Sequence, residues 1–191
     1  MSTRSPLKKF GIWGNTDKEK FWDLLEPILD WSKKNSLEAF ITTRINDNLH
    51  KKFSHEPNII ESAEDFNQLD FLIALGGDGT ILSAARAVGS RQTPIIGIHL
   101  GELGFLAEVT IDEMFSRLDQ IVKGNFSTQP RMVLKATLSK NGTNKIFHAL
   151  NDFVIDRGKS QRIINLELYA GNNFISAYKS DGLIISTPTG S

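Results

Sequence analysis

Cysteine is absent from the 191 residues. Its absence removes disulfides, zinc–thiolate centres and cysteine nucleophiles, and it is compatible with a reducing compartment. A dominant sign of charge is missing too. The 22 Lys and Arg balance 22 Asp and Glu, so nothing in the bulk charge attracts nucleic acid or an acidic membrane surface. No apolar run approaches the length of a membrane span, and the charged start at residues 1–9 is not followed by the apolar stretch of a secretion signal. Internal repeats and low-complexity segments are also lacking. The expectation is a soluble, cytoplasmic chain with neither nucleic acid nor membrane as partner. A hydrophobic content of 40% suffices for one good core or two small ones.

The most informative stretch that is present is Phe71-Leu72-Ile73-Ala74-Leu75-Gly76-Gly77-Asp78-Gly79-Thr80. An apolar run suited to a buried strand enters a glycine-rich turn, and the helix-forming segment 81–88 follows at once. Bare glycine backbone in such a turn lets N–H groups approach a phosphate. A carboxylate at that place is repulsive unless it binds a metal, orients a hydroxyl or removes a proton, which points to phosphoryl transfer. An ordinary structural turn is the alternative, since Asp-Gly is a common turn pair. Two other phosphate motifs do not fit. The P-loop needs Lys-Ser or Lys-Thr after its last glycine, where this chain has Thr80-Ile81. The dinucleotide fingerprint needs a third glycine where Leu82 stands.

Around this motif the pattern alternates between strand and helix. Residues 7–13 read as a strand. Thr16 to Glu19 has the form of a capping box, and Phe21, Leu24, Leu25, Ile28 and Trp31 follow at helical spacing to about residue 34, with Pro27 inside. A second strand is expected over 37–43, then loop and a short helix over 44–69. Strand 70–75, helix 80–88 and strand 93–100 form a β-α-β unit, hence a parallel sheet covered by helices. Gly101-Glu102-Leu103-Gly104-Phe105-Leu106 makes a second glycine-rich loop on the same sheet edge, where ligands of open α/β sheets bind. A helix is expected over 111–122. Beyond Gly124 the pattern turns β-rich, with segments 132–138, 146–156, 163–169 and 174–187, and Asn141-Gly142 is a hairpin signal. The expected division is an α/β domain over 1–123 and a β-rich domain over 124–191. The second would leave a strand edge to be covered, so the natural protein is expected to continue.

Four separated motifs together resemble the NAD kinase family. They are Gly76 to Thr80, Gly97 to Leu106, Leu150-Asn151-Asp152, and Ser180 to Ser191, the last reading Ser-Asp-Gly-Leu-Ile-Ile-Ser-Thr-Pro-Thr-Gly-Ser. The Gly-Gly-Asp-Gly core is shared with diacylglycerol and sphingosine kinases and, in variant form, with phosphofructokinases. The second and last motifs are far more specific. The resemblance implies a Rossmann-like parallel α/β domain followed by an incomplete antiparallel β-sandwich, and it covers the larger, N-terminal part of a typical member. In the family Thr-Ala-Tyr follows the position of Ser191.

The same resemblance implies phosphorylation of NAD at the adenosine ribose 2′-hydroxyl to give NADP. The donor would be ATP or polyphosphate, with Mg²⁺ or another divalent metal. Asp78 matches the family's proton acceptor, and Gly77 and Gly79 would approach the donor phosphates. Asn151 and Asp152 match a dinucleotide-binding Asn-Glu pair, with the acid one methylene shorter here. Arg162, Lys179, Asp181 and Thr189 fall at dinucleotide-contacting positions. The family has Asn where this chain has His99, to which no catalytic role is assigned. A homo-oligomer, dimer or tetramer, is implied, in which Asp181 could serve a neighbour's site. On this reading Asp78→Asn abolishes NADP formation and largely preserves NAD binding. Two alternatives remain: a related lipid kinase, for which no basic amphipathic helix or anchor is found, and a dinucleotide-binding module without turnover.

Overall fold

The computed structural model describes residues 7–49, 53, 56–101 and 104–191. They divide into two compact units, 1–129 and 130–191, so the division falls a few residues after the change in sequence pattern at Gly124. Unit 1 begins with β1 (Lys9–Gly14), α1 (Glu19–Lys34), β2 (Glu38–Thr42), α2 (Thr43–Asp47) and β3 (Asn58–Ile60). A 3₁₀ turn (Ala63–Gln68), β4 (Phe71–Gly76), α3 (Asp78–Val88), a second 3₁₀ turn (Gly89–Arg91), β5 (Ile95–His99) and α4 (Met114–Val122) follow. The five strands are all parallel, in the order β3-β2-β1-β4-β5.

An interior position, with helices on both faces, explains why β4 is apolar throughout. It pairs with β1 on one side and β5 on the other, and all six of its residues are buried. Alternate side chains feed opposite faces. Ile73 and Leu75 join Phe10, Ile12, Phe21, Leu25, Met114 and Leu118 beneath α1 and α4. Leu72 and Ala74 join Phe40, Ile60, Phe66, Ile81, Ala84 and Val88 beneath α3. Fully burying one such side chain contributes about 1.5–3 kcal/mol, and two such layers hold the sheet edge rigid. The indole of Trp31 adds a tie between helices, donating to Asp119 Oδ1 at 2.8 Å.

Several expectations need correction. Thr16 and Glu19 form no capping box: α1 starts at Glu19, after Lys18 with no side-chain cap. The turn is instead stabilised within itself, by Asp17 N–H on Asn15 Oδ1 at 3.1 Å and Lys18 N–H on the Asn15 carbonyl at 3.2 Å. Pro27 sits inside an unbroken helix. Segment 44–69 contains the short edge strand β3 as well as helical turns, a strand too brief for its alternation to register. Helix α4 starts at Met114, three residues later than the apolar pattern suggested.

Unit 2 consists of three antiparallel pairs: β6 (Leu134–Lys140) with β7 (Thr143–Ala149), β8 (Asp152–Asp156) with β11 (Gly182–Ser186), and β9 (Ile164–Ala170) with β10 (Asn173–Ser180). Asn141 and Gly142 both take positive φ, 50° and 77°, the conformation a two-residue hairpin turn demands. The expected runs 146–156 and 174–187 are each broken, at Leu150-Asn151 and at Asp181, so these polar residues stand at strand ends. Among the described residues of unit 2, Thr187 alone is buried.

Candidate functional site

In the order β3-β2-β1-β4-β5, successive connections depart to opposite sides between β1 and β4. Ligands of open α/β sheets bind at the C-terminal strand ends beside such a switch point. The chain places its glycine motif there. Gly76 ends β4, Gly77 is the only connecting residue, and Asp78 is already the first residue of α3. The expected loop is therefore almost nonexistent, and the motif is a strand-to-helix corner with the helix N-terminus at the sheet edge.

Its glycines differ in kind. A Cβ on Gly76 would run into the side chain of Thr80, so packing requires that glycine. A Cβ on Gly77 or Gly79 would meet nothing within 4 Å, and neither has positive φ. Internal packing does not explain these two. Both line a cleft of about 790 Å³ whose wall includes Trp13, Lys18, Arg44, Phe66 and Thr80. Trp13 braces the corner: its indole donates to Ser83 Oγ at 2.9 Å, and Ser83 donates to the Thr80 carbonyl at 2.8 Å.

The side chain of Asp78 leaves the cleft wall and turns to the second glycine-rich loop. Its Oδ2 accepts from Phe105 N–H at 2.9 Å, and Oδ1 accepts from Leu106 N–H at 3.0 Å and Ala107 N–H at 3.4 Å. Burial pushes the carboxyl pKa up, but the three amides together outweigh it and hold it below the ordinary aspartate value. A Cβ on Gly104 would fall on this carboxylate. The loop is pinned by Leu100 N–H on the Gly76 carbonyl at 3.2 Å and His99 N–H on the Val109 carbonyl at 3.0 Å. His99 Nδ1 donates to the Gly101 carbonyl at 2.9 Å, and its buried Nε2 has no partner among the described residues. Glu102 and Leu103 lie outside the described residues.

In unit 2 two groups form. Asn151 and Asp152 meet the terminal loop through Thr187. The Thr187 N–H donates to the Asn151 carbonyl at 2.7 Å, and its hydroxyl donates to the Leu150 carbonyl at 2.6 Å. That hydroxyl also accepts from Thr189 and Gly190 N–H, each at 3.2 Å. Gly190 packs directly on the Asn151 backbone, and Asn151 Oδ1 is buried without a partner among the described residues. The second is built on Asp181, which is close in the chain to Lys179 and linked through Arg157 to the segment before Arg162. Asp181 pairs with Arg157 at 3.3 Å, and the Arg157 guanidinium reaches the Gln161 carbonyl at 3.1 Å, next to Arg162. Lys179 sits opposite Asn165, one residue from the same strand end. Ser186 pairs with Asp152 and Gly182 with Asp156, so the β8/β11 ladder separates the groups by roughly 13 Å. Within one chain Asp181 and Asp152 are not brought together.

Sequence reasoning missed the cleft residues from the other strands, chiefly Trp13, Lys18 and Arg44. They carry no motif, and only the sheet order brings the ends of β1 and β2 beside Gly77.

A parallel sheet with a glycine–acid corner at its switch point, followed by β-strand pairs, defines a two-part protein with a Rossmann-like α/β unit. Comparison makes this specific. Residues 10–126 match the model of the ATP-NAD kinase N-terminal domain, and residues 150–191 that of the ATP-NAD kinase C-terminal domain. The chain belongs to the NAD kinase family. It is 39% identical over 186 residues to an NAD kinase of Thermoanaerobacter sp., and 37% identical over 187 residues to that of Geobacter sulfurreducens. In both cases the match covers 97% of this chain and 64% of the relative. The chain thus spans just under two thirds of the length of these relatives. A crystal structure of yeast NADH kinase complexed with NADH superposes with a TM-score of 0.84 at 25% identity, covering 98% of this chain and 59% of that one.

Proposed function

We propose that the protein phosphorylates NAD at the adenosine ribose 2′-hydroxyl to give NADP, with ATP or polyphosphate as donor. The observation that carries this reading is the two-sided placement of the Gly77-Asp78-Gly79 corner. Its bare backbone opens on the cleft, and its one carboxylate borders the adjoining loop, so that donor phosphate and acceptor hydroxyl would meet at the N-terminus of α3. Donor phosphates would lie against Gly77 and Gly79 at the N-terminus of α3, where free N–H groups and the helix dipole favour anions. The acceptor hydroxyl would approach Asp78 from the loop side, and the carboxylate would orient it and take its proton as the new P–O bond forms.

A divalent cation, Mg²⁺ for example, neutralises the charge of donor phosphates when bound. Among the described residues no set of three His or acidic side chains could cage a metal. That suits a cation carried on the donor phosphates with water and one or two carboxylates, and Asp17 and Glu61 are the acids lining the cleft. Asn151, Asp152 and Thr189 would receive the dinucleotide, for which the unpaired Asn151 Oδ1 is a ready acceptor. Arg162, Lys179 and Asp181, at the far end of the ladder, would serve a neighbouring subunit's dinucleotide in a dimer or tetramer. The proposed setting is the cytoplasm, without nucleic acid or membrane partners. Among the described residues no helix is long and apolar enough to cross a membrane.

A second reading, dinucleotide binding without turnover by this chain, is favoured by the exposure of unit 2. Val154, Ile163 and Ile184 are 59%, 62% and 65% exposed. The deciding experiment is NADP formation from NAD, ATP and Mg²⁺, read with an NADP-specific dehydrogenase, beside Asp78→Asn. Turnover lost in the variant supports the kinase. Turnover retained in a clean preparation removes the proton-acceptor role. NAD bound without turnover selects the second reading.

A further inference from the structure

Proton acceptance explains a carboxylate next to a hydroxyl, but it does not explain three amide hydrogen bonds. We propose that Asp78 is also the positioning residue of loop 104–107, its carboxylate holding that segment in the conformation that receives the dinucleotide. The inference rests on the reading of Asp78 as facing the acceptor.

Loop 104–107 belongs to no strand or helix, so its N–H groups have no ladder to join. Asp78 accepts from three in a row, using both oxygens. Leu106 is half-buried and Ala107 buried, where an amide left unpaired is costly, so the carboxylate decides which conformation the segment adopts. Gly104 makes the seat possible, because any side chain there would displace the acid. On one side Ala107 is buried in the core beneath α3. On the other the chain is tied at His99 and Leu100 to Val109 and Gly76. Asp78 pins the middle, and the segment presents Phe105, a residue 95% exposed. The two roles are compatible. An ionised carboxylate offers about four lone-pair sites; three are taken by amides, and one is left for a hydroxyl.

Asparagine cannot copy this. It supplies one acceptor oxygen and sets an NH₂ donor against an amide donor, so Phe105 and Leu106 cannot both be satisfied. A proton acceptor and nothing more would leave NAD affinity intact in Asp78→Asn. A positioning residue would not.

The test uses the full chain, with isothermal titration of NAD and NMR amide exchange on wild type, Asp78→Asn and Gly104→Ala. Gly104→Ala keeps the acid and removes its seat. In both variants NAD binding should weaken tenfold or more, and exchange at Phe105 and Leu106 should speed up by a similar factor. Urea midpoints serve as the control for folding, and if Gly104→Ala does not fold, Asp78→Asn decides alone. Unchanged exchange at 105–107 in Asp78→Asn overturns the clamp. Faster exchange with NAD affinity within twofold of wild type overturns its link to the dinucleotide. A wild-type chain that binds no NAD sinks the functional reading itself, and the exchange data still judge the clamp. Loss of turnover alone bears only on the proton-acceptor role.

Discussion

Gly79 is the residue at which the fold and the proposed donor seat make opposite demands. It is the second residue of α3, exposed, and a Cβ placed on it meets nothing within 4 Å. Its backbone is helical, so alanine fits without strain. Glycine in a helix is about 0.5–1 kcal/mol worse than alanine. Gly79→Ala should therefore stabilise the chain by about that amount, less if the first turn frays. The corresponding rise in Tm is about 2–4 °C for a cooperative unit of this size. Urea unfolding and calorimetry measure this directly. The same methyl group would stand where donor phosphates are proposed to touch bare backbone. A tenfold loss of MgATP affinity, about 1.4 kcal/mol, is the expected result in isothermal titration. A variant that is more stable and binds MgATP as well as wild type would refute the donor seat. One that is destabilised by more than about 1 kcal/mol would refute the claim that no packing requires glycine.

Two further outcomes follow from hydrogen bonding. Thr187→Val keeps the shape and deletes the hydroxyl that joins Leu150 to Thr189 and Gly190. Amide exchange at Thr189 should speed up about tenfold, as expected for losing about 1–3 kcal/mol of hydrogen bonding, whereas Gly190 N–H keeps its bond to the Thr187 carbonyl at 3.1 Å; unchanged exchange at Thr189 would deny Thr187 its role. The second outcome concerns pH. Against burial, which pushes it up, the Asp78 carboxyl is held below the ordinary aspartate value by the loop amides. A carboxyl lowered in the folded state contributes stability that is complete above its unfolded pKa and is lost as pH falls through the folded one. The wild-type urea midpoint should thus fall more steeply than that of Asp78→Asn between about pH 5 and about pH 3. Parallel curves would show that the amide contacts do not stabilise the ionised form.

Much was legible beforehand because it is local. The apolar run 71–75 became the interior strand β4 since six consecutive buried positions require nearly continuous hydrophobicity. Asn141-Gly142 became a hairpin turn because few other residues accept positive φ there so readily. Other local signals misled or were too short to read. Thr16 and Glu19 matched a cap by spacing, yet the turn after β1 used Asn15 instead, and β3 was too short to show a period. In the candidate site Asp78 stood out because an acid among glycines is chemically odd. Trp13, Lys18 and Arg44 did not, because nothing in their own neighbourhoods is.

The sequence alone determined the alternation of strand and helix, the change to β structure near residue 124, and the glycine–acid motif at the end of β4. Each depends on neighbours within a few positions, where propensity, periodicity and turn sterics act. Tertiary structure alone decided the order of the strands, and with it the cleft at the switch point. It also turned the Asp78 carboxylate toward Phe105, 27 residues away in the chain, and set Asp152 and Asp181 at opposite ends of one ladder. These are outcomes of packing and pairing between distant segments, which no local pattern carries.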